Sequence, residues 1–211
     1  VAQLPGTVRD ALTRFSLSGE ADLAVKYAGS LEGDGPPLSI GAQQRCEIVK
    51  ALARDVQLLI LDEPTAVLAP TEAAELLRWM RDFADQGNAV VLITHKLGDA
   101  LGVADDVTVL REGRTVMTVA ARNVSEDALR AAMVGELTDD ALRVSRTITP
   151  DVESRAPVVV LSATSVRYVD ERGSTRVQDV SLNVRAGEIV GIAAVEGSGQ
   201  HELLRLLAGR L

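Results

Sequence analysis

Apolar positions gather in three short blocks, at residues 56–61 (interrupted by Gln57), 89–94 and 189–195. Blocks of this length, bounded by polar or glycine residues, predict strands covered on both faces of a sheet. Elsewhere the apolar residues recur in threes and fours. Leu76, Leu77, Met80, Phe83 and Ala84 fall on one stripe and predict an amphipathic helix over 72–85, with Pro70 suited to its start and Gly87 to its stop. Residues 107–110 and 115–119 flank Glu112-Gly113 and predict a hairpin. A helical pattern covers 125–134. Strands are predicted at 158–161 and 177–184, separated by a turn at 170–174. The block at 189–195 runs into a glycine-rich loop and then a helix carrying Leu203, Leu204 and Leu207. Nearer the start, Val8, Ala11, Leu12 and Phe15, then Leu23, Ala24 and Tyr27, suggest helical pieces. Gly33-Asp34-Gly35-Pro36-Pro37 breaks the chain before a further helix over 42–54.

The chemistry collects where these elements end. Leu58-Leu59-Ile60-Leu61 is followed at once by Asp62-Glu63-Pro64. In open α/β sheets, ligands bind beyond the carboxyl ends of the strands, so two acids there are well placed for chemistry. An aspartate in that position can hold Mg²⁺, and a neighbouring glutamate can orient water toward a phosphate. The same residues are also compatible with a plain turn after a buried strand. The segment Leu38-Ser39-Ile40-Gly41-Ala42-Gln43 precedes a predicted helix, where a hydroxyl and free backbone N–H groups suit an anion; a simple N-cap by Ser39 is the alternative. His95 closes the block at 89–94. Strand, glycine loop and helix recur at Ala194-Val195-Glu196-Gly197-Ser198-Gly199-Gln200-His201, the context of a phosphate-binding loop.

Composition narrows the partners. With 46% hydrophobic residues a packed core is well supplied, while 2% aromatic residues leave Leu, Val, Ile and Ala to build it. The net charge of −8 argues against nucleic acid, which calls for a basic face. Cys46 is the single cysteine, so an intrachain disulfide is excluded and a reducing compartment is expected. No apolar run approaches the roughly 20 residues of a membrane-spanning helix, so direct membrane insertion is not expected. At 211 residues the chain suffices for one large domain or parts of two.

Taken together, LSIGAQQRCEIVKAL at 38–52, LDEPTAVLAP at 61–70, ITHKL at 93–97 and ADDVTVLREG at 104–113 resemble the ATP-binding protein of a bacterial ABC importer. The resemblance is to the type with tandem nucleotide-binding domains that serves ribose- and nucleoside-like solutes. It implies an α/β, P-loop NTPase-like fold present as two partial copies. Residues 1–135 would be the latter part of a first ABC nucleotide-binding domain, 136–157 a linker and 158–211 the start of a second. A phosphate loop before residue 1 is missing from the pattern, so a segment of a longer protein is expected.

The resemblance also implies roles. ATP and Mg²⁺ are the cofactors. Asp62 is the metal residue, while Glu63 polarises the attacking water and His95 contacts the γ-phosphate. Ser39, Gly41 and Gln43 belong to the signature segment, which would face the second loop across an interface. Gly197, Ser198, Gly199, Gln200 and His201 form that second loop, in which Gln200 stands where the family has lysine and His201 where it has a hydroxyl residue. Glutamine cannot supply the lysine's charge, which leaves open a glycine turn without nucleotide affinity. Tyr168 is a candidate to stack on adenine or an ordinary strand residue. The implied activity is ATP hydrolysis driving import of a sugar or nucleoside, at the cytoplasmic face of the membrane. Permease subunits and a solute-binding protein are the implied partners. The 211-residue chain itself is expected to lack turnover. The alternatives are a soluble ABC-type translation factor and a non-catalytic binding or dimerisation module.

One further expectation concerns packing. The strands before Asp62 and His95 lack the strand that leads into their own phosphate loop, leaving an apolar gap. Residues 189–195 are of the type that fills it, and are hypothesised to insert beside 58–61, pairing with 58–61 or with 90–94; two separate partial sheets are the alternative.

Overall fold

A computed structural model of the protein describes residues 56–135 and 158–210. The signature candidates Ser39, Gly41 and Gln43, the helices expected within 1–54 and the linker at 136–157 lie outside the described residues.

The elements run in the order β1 (Leu58–Asp62), α1 (Pro70–Asp85), β2 (Ala89–Thr94), α2 (Leu97–Val103), β3 (Asp106–Arg111), β4 (Arg114–Ala120), a short 3-10 turn (Ala121–Asn123) and α3 (Glu126–Val134). After residue 158 come β5 (Val159–Val169), β6 (Thr175–Arg185), β7 (Ile189–Ala194) and α4 (Gln200–Leu207). Helix α1 starts on Pro70, as its fixed φ favours. Its buried side carries Leu76, Met80, Phe83 and Ala84 as patterned, together with Trp79, whose ring stacks on Phe83 with centroids 5.4 Å apart. Ser125 caps α3 by accepting from the Ala128 amide, and Gly135 ends it in the left-handed region. Glu112 and Gly113 both have positive φ, +51° and +73°, the geometry of a two-residue hairpin turn. Helix α2 carries no apolar run long enough to announce itself, and was not expected from the pattern. Strands β5 and β6 are longer than the expected 158–161 and 177–184, because exposed polar residues alternate through them and register shifts bend the pair.

The main sheet has five strands in the order β1-β2-β7-β3-β4, with β5 and β6 forming a second, two-stranded sheet. Strands β1, β2, β7 and β3 are parallel to their neighbours, and β4 closes the edge antiparallel to β3. Residues from both sides of 136–157 therefore share one mixed α/β sheet, in place of two separate partial sheets. The inserting strand is the expected one, and of the two strands expected to pair with it, 58–61 or 90–94, it takes the second. β7 pairs with β2, Val90 opposite Ile189 and Thr94 opposite Ala193, and with β3 on its other side, while β1 lies one strand further out. The reason is burial: every residue of β2 is buried, so β2 needs a partner on each side, and β1 supplies only one.

The two faces of the sheet are covered differently. Leu59, Leu61, Val90, Leu92 and Ile189 pack under α1, while Val91, Ile93, Val190 and Ile192 face β6 and α4 through Val177, Val180, Leu182 and Leu203. At Gly191 of β7 an added Cβ would make only ordinary contact with the methyls of Ala104 and Ala100, at 3.4 and 3.5 Å. Arg81 of α1 ties the layers together, donating to Asp105 at 2.8 Å and to the Gly187 carbonyl at 2.8 Å. Asp105 in turn accepts from the Ile189 amide at 2.8 Å. Among the described residues no helix is long and apolar enough to cross a membrane.

Candidate functional site

Because β1, β2 and β7 are parallel and adjacent, their carboxyl ends open on one edge of the sheet. Asp62 closes β1, Thr94 closes β2 with His95 just beyond, and the glycine loop follows Ala194. Topology thus assembles in one place the strand-end acids from one half of the chain and the glycine loop from the other.

Glu63 turns sharply out of its strand with φ at +47°, a conformation few non-glycine residues adopt and one often found at functional sites. Its amide donates to the Ile93 carbonyl at 2.9 Å. Its carboxylate is then held across the end of β2. One oxygen accepts from the His95 amide at 2.9 Å and lies 2.7 Å from His95 Nδ1; the other accepts from the Thr94 hydroxyl at 3.3 Å. Glu63 and His95 are brought together as a pair.

The loop after Glu63 is braced by residues that the sequence pattern did not single out. The buried Thr65 donates its hydroxyl to Asp99 at 2.6 Å, and Lys96 donates to the Thr65 carbonyl at 2.7 Å. Both partners lie at the start of α2, so the loop and the segment after His95 move together. Their spacing from His95 was the available signal, but α2 itself was not legible.

On the loop side, Gly197 and Gly199 have φ of +83° and +90°, and Gly199 stands at the N-cap of α4. A Cβ on Gly199 would sit 2.2 Å from the Arg176 carbonyl, so only glycine fits against β6. The Ser198 carbonyl accepts from the Gly113 amide at 2.8 Å, and the Gly113 carbonyl accepts from the Gln178 amide at 2.6 Å. The hairpin turn and β6 thereby hold the back of the loop. Its outer side is open: nothing lies within 4 Å of a Cβ placed on Gly197.

At the first turn of α4, His201 bridges two carboxylates. Its Nδ1 is 2.9 Å from Asp62 and its Nε2 is 3.1 Å from Glu196. Carboxylates only accept, so the doubly protonated imidazolium is the form that satisfies both contacts. Burial pulls the imidazole down, but the Glu196 hydrogen bond and the Asp62 charge outweigh it, and its pKa lies above the ordinary histidine value. Gln200, 4% exposed, donates its amide to the other oxygen of Glu196 at 3.2 Å, while its own carbonyl oxygen has no partner. Asp62 likewise keeps one buried oxygen without a partner. Glu196 was quoted in the loop but given no role, although its position four and five residues before Gln200 and His201 places it at the turn of the helix they begin.

Tyr168 lies on β5 opposite Val177, half-buried against the core that includes Val177, Leu110 and Ile192. Among the described residues no group of three or more His, Cys, Asp or Glu side chains forms a metal site of its own. The unpartnered Asp62 oxygen nevertheless suits a cation carried in with phosphate, reached directly or through water.

Comparison with known proteins gives this arrangement a context. Residues 6–66 match the model of the family described as ABC transporter. The chain is 40% identical over 190 residues to the nucleoside import ATP-binding protein NupA of Lactococcus lactis subsp. cremoris, covering 89% of this chain and 36% of that protein. It is 48% identical over 205 residues to the glucose import ATP-binding protein TsgD13 of Haloferax volcanii, covering 93% and 36%. Against the ribose import ATP-binding protein RbsA 3 of Rubrobacter xylanophilus it is 40% identical over 172 residues, covering 82% and 32%. The chain thus spans about a third of the length of these curated relatives. Part of the chain thus matches the ABC transporter model, and the relatives it is similar to are ATP-binding proteins of sugar and nucleoside import.

Proposed function

We propose that the protein is part of an ABC-type ATP-binding protein that serves an importer of a sugar or nucleoside. In that role it hydrolyses ATP at the cytoplasmic face of the membrane, against permease subunits supplied by a solute-binding protein. Residues 1–135 correspond to the latter part of one nucleotide-binding domain and 158–211 to the beginning of a second, whose glycine loop serves the strand-end acids of the first within one shared sheet. The import reading is supported by the relatives. The nucleotide reading is supported above all by one contact, the 2.9 Å approach of His201 to Asp62, which sets the glycine loop against the strand-end acids.

In this reading the backbone N–H groups at the loop and at the start of α4 bind phosphate oxygens, helped by the helix dipole. Gln200 adds an amide donor. Asp62 uses its unpartnered oxygen toward Mg²⁺, which when bound supplies positive charge to neutralise and align the phosphates. Glu63 orients the attacking water with the carboxylate now held by His95 and Thr94, and His95, released from Glu63, reads the γ-phosphate. The braces from Lys96 and Asp99 keep Glu63 aimed. Ser39, Gly41 and Gln43 complete a site from an opposing domain, and Tyr168 stacks on adenine in the second domain.

The loop has no lysine, and positioned positive charge is most of what a protein contributes to phosphoryl transfer. The 211-residue chain is therefore expected to bind Mg-ATP without steady hydrolysis. Phosphate release by purified chain, followed over hours, checks this. Sustained turnover that disappears in Glu63→Gln overturns the inactivity and supports the base assignment. In the assembled importer, Glu63→Gln should lower hydrolysis by about a hundredfold or more while leaving ATP bound. Hydrolysis at the unaltered rate would remove Glu63 from its role.

A further inference from the structure

We infer that Glu196 is a built-in gate on the glycine loop, its carboxylate occupying the donors that a nucleotide polyphosphate must use. The inference deepens the nucleotide reading above and rests on it. Both oxygens of Glu196 are engaged, one by His201 Nε2 at 3.1 Å and the other by the Gln200 amide at 3.2 Å. These are the two side chains at the first turn of the helix that follows the loop, where phosphate-binding loops present their donors. Gln200 is 4% exposed and its carbonyl oxygen has no partner, so Glu196 is the group that fixes its amide. The second nitrogen of His201 is held by Asp62, which leaves Nε2 as its remaining donor, and Glu196 takes it.

Charge acts in the same direction. The Glu196 carboxylate itself stands against the loop that an incoming polyanion must enter, and like charges repel. With Glu196 withdrawn, the Gln200 amide and His201 Nε2 are free. Withdrawal is sterically open. The Glu196 side chain is 80% exposed, and the adjoining Gly197 has nothing within 4 Å of where a Cβ would stand. The occupant that opens the gate is a di- or triphosphate, able to satisfy both donors at once.

The test measures binding of inorganic pyrophosphate and of Mg-ATP to the 211-residue chain by titration calorimetry. Glu196→Ala and Glu196→Gln are compared with the unaltered protein and with Glu202→Gln. Glu202 lies on the same helical turn, and its removal changes charge equally without touching Gln200 or His201 in the hydrogen bonds above. The expected result is a Kd at least tenfold lower for both Glu196 variants and less than twofold changed for Glu202→Gln. Matching circular dichroism and melting curves establish that each variant is folded. Where Glu196→Ala does not fold, Glu196→Gln alone decides. Binding by the unaltered chain that is unchanged or weakened in the Glu196 variants overturns the gate and leaves the nucleotide reading standing. An equal gain from Glu202→Gln also overturns it, since charge alone would then suffice. Absence of binding by every variant overturns the gate and the nucleotide reading of this loop together.

Discussion

Glu188 occupies the turn that feeds β7 into the sheet, and its protonation is coupled to folding. Its side chain is 11% exposed; one oxygen accepts from the Arg185 amide at 2.7 Å and the other lies 3.6 Å from the Arg185 guanidinium. Burial is the largest influence and raises its carboxyl above the ordinary glutamate range. The Arg185 contacts oppose it, and the negative charges of Asp106 and Asp105 add to the rise. A folded-state pKa above the unfolded one means that the protonated form is favoured in the native protein. The stability linked to this group is then fully present below the unfolded value and is lost as pH rises through the folded one. Denaturation midpoints of the unaltered protein and Glu188→Gln, taken between about pH 4 and pH 7, isolate it, since the other groups cancel in the difference. The unaltered protein should lose ground to the variant as pH rises. A difference moving the other way would contradict the burial argument.

Among the elements, the glycine loop depends on how the β3–β4 hairpin and β6 hold its back. The hairpin turn uses Glu112 and Gly113, and the Gly113 amide and carbonyl link Ser198 to Gln178. Gly199 meets the Arg176 carbonyl so closely that an added Cβ would stand 2.2 Å away, whereas Gly197 has open space and shares only the positive φ. Alanine at Gly197 should cost about 1–2 kcal/mol of backbone strain. Alanine at Gly199 carries that strain plus displacement of β6, and should cost clearly more, about 3 kcal/mol. Thermal melts of the two variants compare them directly; equal losses would show that β6 does not hold the loop.

For the whole molecule, β7 is the element that unites the two halves of the chain. All six of its residues are buried between β2 and β3, and the Arg81–Asp105–Ile189 bonds anchor its start. Without it β2 and β3 would each leave unpaired backbone groups and wet apolar surface. Residues 1–135 and 158–211 produced as two separate polypeptides in one cell should therefore copurify. Polar substitution at Ile192, which is 1% exposed, should abolish the association. Two fragments that never associate would show that the shared sheet needs a continuous chain.

Much of this was determined by the sequence itself, because the physics involved is local. Short apolar blocks mark buried strands. The stripe on α1, the Ser125 cap, Gly135 and the Glu112-Gly113 turn each act within a few residues, and the acids at Asp62 and Glu63 follow their strand directly. The resemblance to ABC importer ATP-binding proteins lay in contiguous motifs of the same kind. Tertiary structure decided which strand lies beside which. Burial on both faces shows that a strand is central but carries no address, so 58–61 and 90–94 were both open as partners of 189–195, and the fold chose β2 with β3 on the other side. Only that placement brings His201 to Asp62 and sets both in one site with Glu63 and His95. These contacts cross more than a hundred residues, and they follow from the filling of a gap in the sheet, which no local pattern encodes.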